Sequence, residues 1–157
     1  MKGDGLVFEV DDTPGLQHLR RDVTEHRNVG RVHVEFRRPS GAIPSEFHLA
    51  TAFIEKLALR PPPVWTRLAT EDAQRAATRV LHRDLAYQAP VMAIEVAESL
   101  ARRFVECCGE AAVFFTNGAL ALTGTGAWSP ITDATFDSGI VGLSASRVGL
   151  LWVEDED

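Results

Sequence analysis

The sequence predicts an α+β fold, a mostly antiparallel sheet of about six strands with three or four helices against one face and a β-rich C-terminal third. Three observations carry that prediction. Residues 31–37 alternate strictly between polar and apolar, residues 44–108 repeat apolar side chains every three or four positions, and residues 111–153 contain short apolar runs separated by turn residues.

Taken in order, Leu6-Val7-Phe8-Glu9-Val10 reads as a strand, and Asp11-Asp12-Thr13-Pro14-Gly15 then offers a turn and a helix start. Thr13 suits the N-cap and Pro14 the first helical position, where a missing N–H costs nothing. Leu16, Leu19 and Val23 recur at helical spacing, and Asn28-Val29-Gly30 is a plausible stop. In 31–37, Val32, Val34 and Phe36 alternate with Arg31, His33, Glu35 and Arg37, which predicts a strand with one buried and one wet face, paired antiparallel or lying at an edge.

The helical zone opens at Pro44-Ser45-Glu46, runs with Phe47, Ala50, Ile54 and Leu57 on one side, and stops before Arg60-Pro61-Pro62-Pro63. Thr70-Glu71-Asp72 is read as the cap of a second helix with Ala73, Ala77, Val80, Leu81 and Leu85 inward. A third carries Val91, Ile94, Ala97, Ala101, Phe104, Val105 and Cys108 and ends at Gly109. Asn117-Gly118 between 111–116 and 119–123 predicts a hairpin, because both turn positions tolerate positive φ. A second hairpin is expected around Ala145-Ser146, between 139–144 and 147–153. Residues 124–138 form a long polar and glycine-rich connection, a length that in a compact domain usually carries function or local structure.

The chain of 157 residues, 45% hydrophobic and 24% charged, fits a single domain, 1–157, with an ordinary core. Met1-Lys2-Gly3-Asp4-Gly5 precedes no signal-like apolar run, and no uncharged apolar stretch reaches the roughly 18 residues that cross a bilayer, so a cytoplasmic protein without membrane contact is expected. Cys107 and Cys108 are adjacent and point in different directions on a helix, which predicts reduced, partly buried thiols.

Catalytic signatures are sparse. His18, His26, His33, His48 and His82 fall at no zinc-binding spacing, and there is no Cys-x-x-Cys, so neither metal nor cofactor is expected. A cysteine at a helix C-terminus meets the dipole end that disfavours a thiolate, which leaves Cys107 and Cys108 a packing role. The run Gly118 to Ala127 lacks the Gly-Lys-Ser/Thr of a phosphate loop. Asp133 and Asp137, four apart, could face one side of a helical turn as an acid/base pair or cation site, but no third partner is apparent. Arg20-Arg21, Arg37-Arg38 and Arg102-Arg103 are basic pairs inside charge-balanced zones, and a pI near 5.3 argues against a nucleic-acid partner.

Charge is distributed unevenly. The whole net charge of −6 lies beyond residue 108, where Glu110, Asp133, Asp137 and Glu154-Asp155-Glu156-Asp157 face only Arg147, while residues 1–108 hold fifteen acids and fifteen bases. An acidic end that leaves an apolar strand directly is held at a surface, and carboxylates beside Trp128, Phe136 and Trp152 are what an anchor-and-charge interface with a basic protein uses. Trp128, Asp133, Asp137, Trp152, Glu154, Asp155, Glu156 and Asp157 are therefore the expected partner-binding residues.

On Thr132-Asp133-Ala134-Thr135-Phe136-Asp137-Ser138-Gly139-Ile140 and Leu150-Leu151-Trp152-Val153-Glu154-Asp155-Glu156-Asp157, within a small acidic chain lacking catalytic machinery, the protein resembles in type the immunity proteins that accompany secreted bacterial toxins in contact-dependent inhibition and related systems. The likeness covers the C-terminal third best. It implies a non-enzymatic inhibitor of a cognate toxin, commonly a basic nuclease, whose active site or substrate surface it occludes. Two other classes stay open: a small cytosolic enzyme working through residues 124–138, and a homo-oligomeric structural protein, such as a homodimer, whose C-terminal strand pairs across the axis.

Overall fold

The computed structural model describes residues 5–157; Met1 to Asp4, part of the segment read for a targeting signal, lie outside the described residues. The chain runs through β1 (Val7–Val10), α1 (Pro14–His26), β2 (Arg31–Ser40), α2 (Glu46–Lys56), β3 (Thr66–Leu68), α3 (Thr70–His82), α4 (Ile94–Cys107), β4 (Val113–Thr116), α5 (Leu120–Thr123), β5 (Phe136–Leu143) and β6 (Val148–Asp155). The strands form one sheet in the order β1-β2-β6-β5-β4-β3, and every neighbouring pair is antiparallel. The fold is α+β with the β5–β6 hairpin where the Ala145-Ser146 turn predicts it.

Alternation along β6 divides the core in two. Leu151 and Val153 meet Val34, Phe36 and Ile140 on a face covered by α1, α3, α4 and α5. Val148, Leu150 and Trp152 point the other way, to α2, Trp65, Phe115 and Ile131. Helices thus cover both faces instead of the single face expected. The reason lies in β5 and β6, which are buried along almost their whole length on both sides and so require cover on each. Cys108 lies against the cross-strand pair Gly142 and Gly149, where a Cβ would stand 2.5 Å and 3.2 Å from its Sγ. Its role is packing, and burial pushes its thiol pKa well above the ordinary thiol range.

Local chemistry explains most of the element ends. Thr13 and Pro14 start α1 as expected, although the Thr13 side chain makes no capping bond. Ser45 caps α2 by accepting the His48 N–H at 3.0 Å. Helix α3 begins at Thr70 itself, with Ala69 at the N-cap, so the threonine is one residue too late to cap while Glu71 and Asp72 occupy the first turn. In α2 the buried stripe is Leu49, Ala50, Phe53 and Ile54, and Phe47, expected in the core, is 51% exposed with its ring 5.5 Å from that of Phe115. The stripe is rotated one step round the helix from the 47–50–54–57 line.

The expected Asn117-Gly118 hairpin does not form. Residues 119–123 are largely the short helix α5, and Gly118 instead bridges to Trp128. Only Gly118 has positive φ, +147°, whereas a type I′ turn needs it at both positions. Ala-Leu-Ala-Leu is also good helical sequence, and Leu120 and Ala121 find burial against α3. The sixth strand is β3, three residues long and too short to show a periodicity. Strand β2 takes an inner position between β1 and β6, with the expected antiparallel pairing.

Candidate functional site: the acidic end of the sheet

In the connection between α5 and β5, residues 124–135, Ile131 and Thr132 are held by one carboxylate. A buried carboxylate is expensive unless donors surround it, and Asp137 is fully buried. Its Oδ1 accepts the Trp152 indole N–H at 3.0 Å, the Ile131 N–H at 3.1 Å and the Asn117 side-chain amide at 3.3 Å. Its Oδ2 accepts the Thr132 N–H at 3.1 Å and the Thr132 hydroxyl at 2.8 Å. Asn117 donates further to the Ser129 and Asp137 carbonyls at 2.8 and 3.1 Å and accepts the Ser138 hydroxyl at 2.8 Å. Asn117, the residue read as a turn former, is a buried crosslink between β4, the loop and β5.

Asp155 is internal too. Arg27, also buried, donates to its Oδ1 at 3.1 Å and its Oδ2 at 2.8 Å, while the Leu85 N–H reaches Oδ2 at 2.8 Å. The same guanidinium donates to the Val80 and Val29 carbonyls at 2.8 and 2.6 Å. This fork ties the C-terminal ends of α1, α3 and β6 together. Asp137, Trp152 and Asp155 were expected to face a partner; they face the core, because in β6 the alternation continues past the apolar run and the carboxylates at 137 and 155 meet buried donors.

Four acids of the expected set remain accessible. Asp133 is 95% exposed at its side chain and pairs with Arg60 at 2.9 Å. Glu156 accepts the Thr135 N–H at 3.2 Å and its hydroxyl. Asp157 is exposed, and half-buried Glu154 contacts the His33 ring nitrogen. Trp128 is half-buried and stacks on Phe136 with ring centroids 5.4 Å apart. Asp133 and Asp137 do not form an acid/base pair, since one is in solvent and the other saturated with donors.

Beside these acids runs a groove that the wet face of β2 predicts only in part. Register places Arg31 opposite Glu154 and His33 opposite Trp152, so His33 and Glu154 are diagonal neighbours. With Leu59, Arg60, Thr132 and Asp133 they line a hollow of about 300 Å³. A second hollow of about 320 Å³ continues past Glu35, Arg37 and Lys56. Ala58, at φ +62°, lines both. Among the described residues, no group of three or more His, Cys, Asp or Glu is arranged to hold a metal ion. Cationic and anionic side chains thus lie side by side along the groove. His33 was legible as a solvent-facing residue, but its partnership with Glu154 depends on β2 lying beside β6.

Fold and site together define a class: an antiparallel α+β sandwich whose C-terminal hairpin ends in a structurally braced acidic rim. No family model, no curated protein and no solved structure matches the chain. No helix among the described residues is long and apolar enough to cross a membrane.

Proposed function

We propose that this chain is a cytoplasmic immunity-type protein that binds a basic toxin domain, commonly a nuclease in such systems, and blocks its active site or substrate surface without catalysing a reaction itself. The observation that supports this reading is the braced acidic rim. Asp133, Glu154, Glu156 and Asp157 are brought to one end of β5 and β6 while Asp137, Trp152 and Asp155 hold the framework beneath them. Carboxylates on a fixed framework lose little freedom on binding and steer a cationic partner from a distance. Trp128, which is half-buried, is the apolar anchor of this reading in place of Trp152.

The acids at 133, 156 and 157 are the ones to change, since none is buried. The triple variant Asp133→Asn, Glu156→Gln, Asp157→Asn is mixed with the toxin domain encoded beside this gene, and association is followed by stopped-flow fluorescence. Association of the unaltered chain should fall steeply between 0.01 M and 0.1 M salt, as the Debye length drops from about 30 Å to about 10 Å. The variant should associate more slowly at low salt with little change in dissociation. An adjacent gene that encodes no toxin, or a toxin left active by an equimolar amount of the chain, overturns the reading.

A further inference from the structure

A hollow of about 820 Å³ lies between α3 and α4, far from the acidic rim in sequence. Its lining is cationic in a chain that is acidic overall. Arg75, Arg79 and Arg83 succeed one another at four-residue steps along α3 and just past its end, and Arg102 faces them from α4. Four guanidiniums thus meet two carboxylates, Glu71 and Glu98. The individual basic pairs visible in the sequence do not disclose this, because Arg75, Arg79 and Arg83 are isolated in the chain and only the helix brings them into one row.

Two of these arginines are pre-positioned. Gln88, in the turn after α3, accepts Arg79 Nη1 at 3.1 Å with its side-chain oxygen and Arg83 Nη1 with its backbone carbonyl. It does so at φ +58°, a conformation that a non-glycine residue adopts only at a cost. Each guanidinium has five N–H groups, so each keeps donors free for a ligand. Arg102 has no hydrogen-bond or ion-pair partner among the described residues. Ile94, 38% exposed, and Leu122 add apolar wall.

We propose that this groove binds a small phosphate ester, its anionic oxygens on Arg79, Arg83 and Arg102 and its organic body against Ile94 and Leu122. Guanidinium forks match phosphate oxygens in pairs, and the volume suits a small molecule. Glu71 and Glu98 in the same lining would repel a long polyanion laid along the groove, which favours a compact ligand over a nucleic-acid strand. The proposal is independent of the acidic rim and of the toxin reading.

Calorimetric titration of the full chain with ADP and with pyrophosphate at low salt tests it. One-to-one binding of ADP is expected, weakened about tenfold or more in Arg79→Gln, Arg83→Gln and Arg102→Gln, as expected for loss of a charge-assisted contact. Arg102→Gln touches no internal contact and therefore separates binding from folding. Gln88→Ala, which leaves the charge intact but frees Arg79, should also weaken ADP. Arg21→Gln, an exposed arginine on α1, should not. Absence of binding at millimolar ADP and pyrophosphate overturns the proposal, as does an equal loss in Arg21→Gln, or tighter binding of a single-stranded oligonucleotide than of ADP.

Discussion

Arg27 and Asp155 carry the strongest consequence at the scale of single residues. Both are out of solvent, and the pair is held by a two-bond fork together with the Val80 and Val29 carbonyls and the Leu85 N–H. Removing one member strands the other charge, so Arg27→Ala should cost about 3–5 kcal/mol, whereas Arg27→Met combined with Asp155→Leu should cost clearly less than the sum of the single changes. Urea denaturation of the singles and the double gives the coupling directly. The sequence shows Asp155 as one acid in a run of four, and nothing local distinguishes it from Glu154 or Glu156. Its burial follows from the β6 register, which sends 155 towards the helices α1 and α3. Asp137 is illegible for the same reason: a buried carboxylate is recognised by donors supplied from elsewhere in the chain, here from Asn117, Ile131, Thr132 and Trp152.

Element ends can be argued from their own backbone bonds. After α2, the Leu59 N–H reaches the Ile54 carbonyl at 3.1 Å and the Ala58 N–H reaches the Glu55 carbonyl at 3.0 Å, the two bonds of a Schellman ending. Its left-handed position is filled by alanine where glycine is preferred. Ala58→Gly should therefore stabilise the protein by up to about 1 kcal/mol, visible as a higher melting temperature, since the left-handed conformation costs a non-glycine residue roughly 1–2 kcal/mol and glycine returns part of this as unfolded-state entropy. At Gly118 the argument runs the other way. A Cβ there would stand 2.4 Å from the Ala127 carbonyl oxygen at a φ that side chains resist, so Gly118→Val should lower stability by at least about 1 kcal/mol, and an unchanged melting temperature would contradict it. The need for glycine was legible, but the hairpin it was assigned to was not the reason. The close approach of residues 127 and 128 is.

At the scale of the whole molecule, β6 is the middle of the sheet and the seam between two cores. It pairs with β2 over seven residues and with β5 over eight, and its side chains enter both clusters. A strand bonded on both sides has no free edge, so the C-terminal strand is not the one that could pair with a second copy; the edges are β1 and β3. Amide exchange should be slowest in β6 and the facing parts of β2 and β5, and fastest in β1 and β3, and uniform protection across the sheet would be at odds with this architecture. What the sequence determined by itself was local: the α+β class, the amphipathic helices α1, α3 and α4, the β5–β6 hairpin and the alternation of β2, because periodicity and turn chemistry are written in neighbouring residues. Only the tertiary structure decided that α2 covers a second face, that Asp137, Trp152 and Asp155 of the expected acidic interface are core, and that isolated arginines form one groove. Burial and charge pairing depend on which distant elements become neighbours, and sheet order is set by the packing of both faces at once.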